Sequence, residues 1–393
     1  MPDSPSTAAS SKPRDSDSYH AYPWWSPRFW HGMPLGVWLK LVGQHGCRVS
    51  PSRLGLLATI TATTAFNSVA GWICKARFAK QLRTVEVRND PVFIIGHWRS
   101  GTTLLHELMM LDERFFCPST YQCFAAGHFL LTESVLPPLL AWMMPAKRPM
   151  DNVAAGWDRP QEDEFALMNL GAASPYRRMA FPATASNDAT ALDLTTLEAS
   201  TLSHWQATMR RFLRMLAVRD SRRTVLKSPP HTARMGVLKA MFPEARFLHI
   251  VRDPLVVFPS TMRLWRSLDF VQGMQVDRGE RLESYVLDTF GVMYDAFERD
   301  KAELPAGCLH ELKYEDLVAD PVAELSKAYE ALGLGGFDSV QPALAKEAEA
   351  MQRYRRNRYD IDERTRSLVV ERWRPFFERY GYVPEATNEA AAP

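Results

Sequence analysis

The stretch from Val92 to Leu105 has the composition and spacing of a loop that holds an anion. An apolar run leads into Gly96, and Gly101 follows five positions later, directly ahead of two threonines. The order of strand, Gly-x-x-x-x-Gly loop and helix is that of a phosphate-binding loop, where backbone amides and the helix dipole attract the anion. Taken alone, Ser-Gly-Thr-Thr is equally typical of an ordinary helix start, so this prediction depends on the strand before it and on the segments below.

This loop lacks two features of a nucleoside-triphosphate site. The position that carries Lys in such sites is Thr102, and the cation lies earlier, at Arg99. No apolar run ends in the Asp that would hold Mg²⁺, since the best candidate ends at Val251 and continues with Arg-Asp. The loop therefore predicts a ligand with less charge than Mg·ATP, bound without a metal.

A second candidate anion contact follows the apolar run 246–251. If that run is a buried parallel strand, Arg252 lies at its carboxyl end, where ligands of open α/β sheets bind. Ser260 lies eight residues later, after a turn and near a helix start. A guanidinium group and a hydroxyl suit a phosphate monoester, although a surface Arg-Asp turn with a helix-capping Ser is the alternative in isolation.

Two further segments carry side chains for proton transfer or for stabilising a leaving group. Lys227 ends a short apolar run, and His231 follows four residues later. The acidic run 162–164 opens an apolar segment, where it either favours a helix N-terminus or supplies a partly buried general base from Glu162 or Glu164. The residues alone leave these three candidates for the base open.

In combination, these segments resemble the sulfotransferase superfamily, whose donor is 3′-phosphoadenosine 5′-phosphosulfate (PAPS). The run Arg-Ser-Gly-Thr-Thr-Leu is similar to the loop of the bacterial branch that resembles the tyrosylprotein type, whereas the cytosolic branch has Lys-Ser-Gly-Thr-Thr-Trp. The resemblance covers 91–380, with strong motifs at 91–105 and 246–260. It implies metal-independent in-line transfer of a sulfonate from PAPS to a hydroxyl or amine, leaving adenosine 3′,5′-bisphosphate.

The resemblance assigns a donor site residue by residue. It places the 3′-phosphate, which distinguishes PAPS from other adenylates, on Arg252 and Ser260. Tyr314 resembles the tyrosine near the adenine, with a core tyrosine at a strand end as the alternative. The basic segment 352–358 lies where family members close the 3′-phosphate site, or else it is an exposed basic helix face. The residues implied to hold the 5′-phosphosulfate are Arg99, Ser100, Gly101, Thr102 and Thr103.

The resemblance also implies that Lys227 stabilises the leaving group, but it does not fix the base. The cytosolic branch has a His two residues after this lysine, where this chain has Pro229 and carries His231 two positions further on. The Glu of tyrosylprotein-like members has no counterpart in 117–122. The Glu-Asp-Glu run 162–164 is similar to one in this bacterial subgroup, which favours a base from that run.

From Pro91 onward, short apolar runs alternate with helical stretches. This alternation predicts an α/β class, a P-loop-like three-layer fold with a central parallel sheet and additional helices. The predicted strands are 92–95, 224–226, 246–251 and 308–312, and the predicted helices include 102–111, 232–241 and one near 368–379 that Pro375 interrupts or delays. The predicted organisation is a disordered tail over 1–20, a helical N-terminal region over 21–90 packed on the main domain, the sulfotransferase domain over 91–380 with an acceptor-binding insertion at 115–220, and a loose tail over 381–393.

The uncharged segment 54–74 has the length of a membrane span, which needs about 20 apolar residues, but six Thr, Asn and Ser residues dilute it. Its larger apolar residues fall roughly on one helical face, which favours a helix packed on the domain or lining an apolar pocket. A peripheral membrane contact through the preceding tryptophans is the second interpretation. The face residues are Leu56, Leu57, Ile60, Phe66, Val69 and Ile73, and the tryptophans are Trp24, Trp25, Trp30 and Trp38.

Composition excludes some classes of function. The 393 residues carry a net charge of +2, which disfavours a general nucleic-acid binder. Five scattered cysteines, an odd number without metal-ligand spacing, favour a reducing compartment. The polar first twenty residues do not have the pattern of a signal peptide. We therefore expect a cytoplasmic protein, with membrane association and oligomeric state left open.

Three hypotheses for the function follow. The first is a PAPS-dependent sulfotransferase for a small-molecule or lipid-like acceptor. The second is a P-loop kinase acting on a small hydroxyl compound, against which Thr102 counts. The third is a non-catalytic protein that binds a nucleotide or a membrane surface.

Overall fold

A computed structural model of the chain describes residues 25–144, 156–184, 191–276, 279–351 and 361–383. The predicted tail 1–20, most of the predicted tail 381–393 and the basic segment 352–358 lie outside these ranges.

One parallel sheet forms the centre of the molecule. Its strands are β1 (Val92–Ile95), β2 (Phe115–Phe116), β3 (Arg223–Lys227), β4 (Arg246–Val251) and β5 (Leu309–Lys313), in the order β2-β3-β1-β4-β5. The chain leaves β1 to one side for β2 and β3, then crosses to the other side for β4. The carboxyl end of β1 is therefore the switch point at which open α/β sheets bind ligands. Ile94 lies beside Lys227 in this sheet, and Ile95 lies beside His249.

Helices cover both faces of the sheet. Their bounds are α1 (Leu35–Gln44), α2 (Leu54–Arg77), α3 (Ala79–Thr84), α4 (Thr102–Met109), α5 (Thr120–Phe124), α6 (Phe129–Thr132), α7 (Leu136–Leu139), α8 (Asp163–Asn169), α9 (Ala199–Arg219), α10 (Met235–Met241), α11 (Pro254–Gln272), α12 (Leu282–Ala302), α13 (Tyr314–Ala319), α14 (Pro321–Ala331), α15 (Phe337–Met351), α16 (Glu363–Arg372) and α17 (Arg374–Tyr380). Short 3₁₀ turns lie at Phe29–Gly32, Pro51–Arg53, Ala141–Met143, Pro175–Ala180, Leu194–Thr196 and Pro229–Arg234.

Successive residues of β1 pack into opposite cores. Phe93 belongs to a large core with Phe290 of α12. Its neighbour Ile94 belongs to a smaller core with Leu105 of α4 and Leu325 of α14. Burial on both faces explains why the strands are continuous apolar runs. The predicted α/β class with a central parallel sheet is confirmed.

The element bounds differ from the predictions in a few places. β3 is one residue longer at each end, β5 is displaced by one residue, and β2 is too short for a sequence pattern to predict. The predicted helix 102–111 ends at Met109, and only Met235–Met241 of 232–241 is α-helical. Instead of one helix near 368–379, α16 ends and α17 begins around Trp373, with Pro375 in the first turn of α17, where its missing N–H is tolerated.

The N-terminal tryptophans mostly serve the core. Trp30 and Trp38 are fully buried, and their indole N–H groups donate to the Gln272 carbonyl at 2.6 Å and to Thr61 Oγ1 at 3.0 Å. Trp25 is 44% exposed, and Trp24 lies outside the described residues. Trp30 and Trp38 are therefore not available for the membrane contact considered above.

Helix α2 buries a face that consists mainly of small and polar residues. Asn67 is buried, and its Nδ2 donates to the carbonyls of His31 and Met33 at 2.6 and 3.0 Å. The expectation that the six large apolar residues form the packed face is wrong for three of them. Ile60 is buried and Leu56 and Leu57 are half-buried, whereas Phe66, Val69 and Ile73 are exposed.

Replacing Asn67 by Ala should weaken the attachment of α2. The substitution leaves two carbonyl groups without their donors, so we expect the free energy of unfolding to fall by about 1–3 kcal/mol. Trp72→Ala is the matched control on the same helix, because the Trp72 side chain is 73% exposed. It should change stability by less than about 0.5 kcal/mol. Urea unfolding of the full chain measures both, and equal losses would contradict this assignment of the buried face.

Candidate active site

The loop after β1 approaches its neighbours at two positions where only glycine fits. Gly96 has φ 146°, and a Cβ there would lie 2.4 Å from the Ile250 carbonyl oxygen. Gly101 has φ 107°, and a Cβ there would lie 2.4 Å from the ring of Tyr314. Both glycines are therefore required by backbone conformation and by space.

Between the glycines, the loop is held by its own hydrogen bonds. Arg99 has φ 70°, a left-handed conformation that is uncommon for a residue with a Cβ and that is found at ligand sites. The backbone N–H and the hydroxyl of Ser100 both donate to the His97 carbonyl, at 3.1 and 2.7 Å. α4 then begins at Thr102, and no side chain of the described residues caps it. Its first amides can therefore face an anion.

Two arginines from distant segments meet at this loop. Arg99 Nε donates to Ser260 Oγ at 2.9 Å, and Arg252 Nη1 donates to the Arg99 carbonyl at 3.3 Å. The Arg252 guanidinium lies over the Tyr314 ring, 4.0 Å from its centre. The predicted donor-binding residues are thus brought together, around two positive charges.

One detail of this prediction is wrong. Ser260 does not lie near a helix start, because α11 begins at Pro254, where Asp253 caps it by accepting from the Leu255 N–H at 2.9 Å. Ser260 is nearly two turns into α11 and is buried, so its hydroxyl points from the side of the helix toward Arg99.

Glu162 lies at the centre of a hydrogen-bond network that reaches the loop. Its Oε1 accepts from Lys227 Nζ at 2.7 Å, and its Oε2 accepts from the Tyr176 hydroxyl at 2.6 Å. The Tyr176 oxygen accepts in turn from the Trp98 indole N–H at 2.8 Å. The Lys227 side chain is 3% exposed and that of Glu162 is 16% exposed, so the carboxylate is the accessible partner.

The phenol of Tyr176 is a fixed donor in this network. Burial, reinforced by the charge of Glu162, raises the pKa of Tyr176 well above its usual range. The phenol therefore remains protonated and keeps one carboxylate oxygen of Glu162 in place.

An aromatic and ionic layer supports the network from behind. Trp98 packs edge-on against Trp265 with ring centres 5.4 Å apart, and Tyr176 packs against the same ring at 6.1 Å. Arg178 lies over Trp265 and forms an ion pair with Asp269 at 3.0 Å. This layer leaves the Trp98 indole and the Tyr176 hydroxyl little freedom to turn away from Glu162.

The next acid, Asp163, turns into the interior with His231. Asp163 accepts from Ser228 Oγ at 2.8 Å and bonds His231 Nε2 at 2.7 Å, and all three side chains are fully buried. Burial alone would raise the pKa of Asp163, but the charge and hydrogen bonds of its partners hold it below the usual range. His231 is thus engaged in the core, which disfavours it as the base.

Glu164 is also buried. Its two oxygens pair with Arg234 at 2.6 and 3.2 Å, and neither side chain is exposed. A carboxylate closed off in this way cannot meet an acceptor, so the geometry favours Glu162 among the three candidates.

A cavity of about 800 Å³ lies among the residues after β2, and its lining includes neither Lys227 nor Glu162. Part of its lining comes from the residues after β2 and part from residues just before Glu162. A hydrogen bond joins these two segments, since the Thr120 N–H donates to the Arg159 carbonyl at 2.8 Å. At its inner side, burial raises the pKa of Cys117 to about 12, while the charge of Lys227 acts in the opposite direction. The lining includes Phe116, Cys117, Tyr121, Ala141 and Trp157.

Two residues of this site, Trp98 and Tyr176, are not among the residues that the sequence predicts to be functional. Trp98 lies inside the recognised loop, so its position could have suggested a role. Tyr176 is 78 residues away from its donor and belongs to no motif, so only the fold reveals it.

The fold and the site define an α/β protein with an arrangement suited to an anion, two arginines and the start of α4, at the switch point of a parallel sheet. The chain matches the sulfotransferase family over residues 91–339 and belongs to it. It is a PAPS-dependent sulfotransferase, which replaces the kinase and the non-catalytic alternatives. No group of three or more His, Cys, Asp or Glu within the described ranges is arranged to hold a metal ion. The closer likeness of the loop to the tyrosylprotein type stays a prediction.

Two curated relatives support this membership. The chain is 35% identical over 358 residues to omega-hydroxy-beta-dihydromenaquinone-9 sulfotransferase Stf3 of Mycobacterium bovis, and equally to that of Mycobacterium tuberculosis. The match covers 91% of this chain and 92% of each relative.

Two solved structures share the fold. Sulfotransferase STF1 from Mycobacterium tuberculosis has a TM-score of 0.60 at 18% identity, covering 91% of this chain and 92% of that one. Sulfotransferase STF9 from Mycobacterium avium has a TM-score of 0.58 at 15% identity, covering 88% and 96%.

Glu162→Gln should mainly lower the catalytic rate, whereas Glu164→Gln should mainly lower the stability of the fold. A general base contributes about 10²–10⁴-fold to the rate, so Glu162→Gln should lower kcat by at least about 100-fold. Because the amide oxygen can still accept from Lys227 and residue 162 is partly exposed, the loss of stability should be smaller than that of Glu164→Gln. Glu164→Gln leaves Arg234 buried without a counter-charge and should lower the free energy of unfolding by about 3–5 kcal/mol. Turnover and thermal unfolding measured on both variants test this. An active Glu162→Gln variant would contradict the choice of base.

Proposed function

We propose that this sulfotransferase moves the sulfonate of PAPS to a hydroxyl group of an apolar, lipid-like acceptor, with Glu162 as the general base. The observation that carries the proposal is the position of Glu162, 2.7 Å from Lys227 and joined through Tyr176 to Trp98 of the anion loop. A general base must lie within hydrogen-bond reach of the acceptor proton, and the acceptor oxygen must in turn lie next to the reacting sulfonate.

In the donor site, the loop from Arg99 to Thr103 holds the 5′-phosphosulfate, and Arg252 with Ser260 holds the 3′-phosphate. The start of α4 at Thr102 supports this assignment because no side chain in the part of the chain that the structure describes caps its first amides, and Gly101 lets the Tyr314 ring lie against the same loop. The charges of the two arginines suit a ligand with two separate anionic groups. Tyr314 marks the adenine side of the site.

The chemistry requires one proton transfer and one exchange of bonds to sulfur. The acceptor oxygen bonds to sulfur while the bond between sulfur and the 5′-phosphate oxygen breaks, which releases adenosine 3′,5′-bisphosphate. Glu162 takes the acceptor proton, and Lys227 supplies positive charge for the oxygen that leaves. Tyr176 and Trp98 hold the carboxylate in position.

The cavity that includes Cys117, whose thiol senses the charge of Lys227, supports an acceptor with a large apolar part. Aromatic side chains, including those of Phe116, Tyr121 and Trp157, line it beside charged ones such as Glu133 and Arg219, and its volume of about 800 Å³ is ample for part of a lipid-like molecule. The relatives at 35% identity are named for a hydroxylated dihydromenaquinone, which combines a hydroxyl with a long apolar structure. We therefore infer an acceptor of this general chemistry.

Arg252→Ala should weaken recognition of the 3′-phosphate in particular. Loss of hydrogen bonds to a charged group costs about 1.5–3 kcal/mol, so the preference for adenosine 3′,5′-bisphosphate over adenosine 5′-phosphate should fall by roughly 10- to 100-fold. Isothermal titration of the full chain with both nucleotides measures this ratio. Arg99→Ala is the comparison variant and should weaken both nucleotides to a similar extent.

Two results of these titrations would overturn the donor assignment. One is an Arg252→Ala variant with the preference of the wild type. The other is a wild-type chain that binds ATP with Mg²⁺ and does not bind the bisphosphate.

Ala141→Phe should obstruct the acceptor cavity without touching the donor loop. We expect the KM for an omega-hydroxylated prenyl quinol to rise about tenfold, since part of the apolar contact is lost, while the affinity for adenosine 3′,5′-bisphosphate stays unchanged. Ala141→Ser changes the polarity but hardly the volume and should behave like the wild type. An unchanged KM in Ala141→Phe would place the acceptor elsewhere.

A further inference from the structure

Helix α2 presents five large apolar side chains to the outside. Phe66 is 51% exposed, Val69 59%, Trp72 73% and Ile73 42%, and Leu54 at the start of the helix is 54% exposed. At 1.5 Å per residue, the stripe from Leu54 to Ile73 is about 28 Å long. A helix on a water-facing surface normally shows the reverse pattern. We propose that this face, called the α2 face below, lies on the surface of an anionic lipid bilayer.

The charge around the α2 face identifies the partner. Residues 18–85 contain eight Lys or Arg and no Asp or Glu, although the whole chain has a net charge of only +2. Exposed basic side chains follow the apolar stripe at the end of α2 and on α3. They are Lys75, Arg77, Lys80 and Arg83. Apolar side chains beside a cluster of basic ones are what an anionic leaflet binds, since the apolar groups enter the interface and the cations meet the headgroups.

A second copy of the chain fits this surface less well. A two-fold dimer would place one α2 face against another and would bring two clusters of basic residues together. No acidic residue in this part of the sequence could compensate for that repulsion. The charge pattern therefore favours a bilayer over self-association.

The helix lies on the bilayer and does not cross it. Among the described residues, the helix Pro51–Arg77 is long and apolar enough to span a membrane by length and composition. Its opposite face, however, is bound to the protein. Asn67 also contacts His128 Nε2 at 3.1 Å, and Ser68 Oγ accepts from the Leu35 N–H at 2.8 Å. Insertion would leave these buried polar groups without partners, which is costly in lipid.

The test is flotation of the full chain with vesicles. Vesicles of phosphatidylcholine with phosphatidylglycerol should bind the protein, and binding should fall on vesicles of phosphatidylcholine alone or at high salt. Replacing both Val69 and Trp72 by Ser removes two apolar contacts and should weaken vesicle binding by at least about tenfold. Val383→Ser is the matched control, because Val383 is 65% exposed but lies at the other end of the chain, and it should bind like the wild type.

Three results of the vesicle experiment would overturn the proposal. A double variant with a wild-type melting temperature and wild-type vesicle binding overturns the proposal. So does a wild-type chain that ignores anionic vesicles, or one that forms a dimer which the double variant abolishes. The measurement needs neither donor nor acceptor, so it is independent of the proposed acceptor and of Glu162.

Discussion

The chain of hydrogen bonds from Trp98 through Tyr176 to Glu162 and Lys227 connects the two halves of the site. Trp98 belongs to the loop after β1, Lys227 ends β3, and Glu162 directly precedes α8, so no single element could place all of them. Each bond is 2.6–2.8 Å long, and the residues are largely shielded from water. The distance between the anion loop and the candidate base is therefore set by side-chain bonds as well as by the sheet.

Two fully buried ionic pairs fix the start of α8, directly after Glu162. Asp163 with His231, and Glu164 with Arg234, hold the residues after Glu162 against the segment that follows β3. Such pairs cost desolvation energy, which offsets much of what their attraction contributes to net stability. Their clear effect is on position, because each accepts only one arrangement of partners. Glu162 projects from a helix end that is anchored at the two adjacent residues.

Local patterns were enough to predict the anion loop, Arg252, Lys227 and the parallel sheet, because each has a short sequence signature. They could not choose the base, since Glu162, Glu164 and His231 differ only in what the fold packs around them. Local patterns also could not predict the buried face of α2, because the backbone carbonyls that accept from Asn67 are more than thirty residues away in the sequence. The cytoplasmic location stays a prediction.

The bonds between Trp98, Tyr176 and Glu162 can run in only one direction. An indole N–H has no lone pair with which to accept a hydrogen bond, and the ionised carboxylate has no hydrogen to give. The phenol between them must therefore donate toward Glu162. A proton that reaches Glu162 has no relay back toward the anion loop along this path. The indole and the phenol therefore orient the carboxylate without carrying protons between it and the loop.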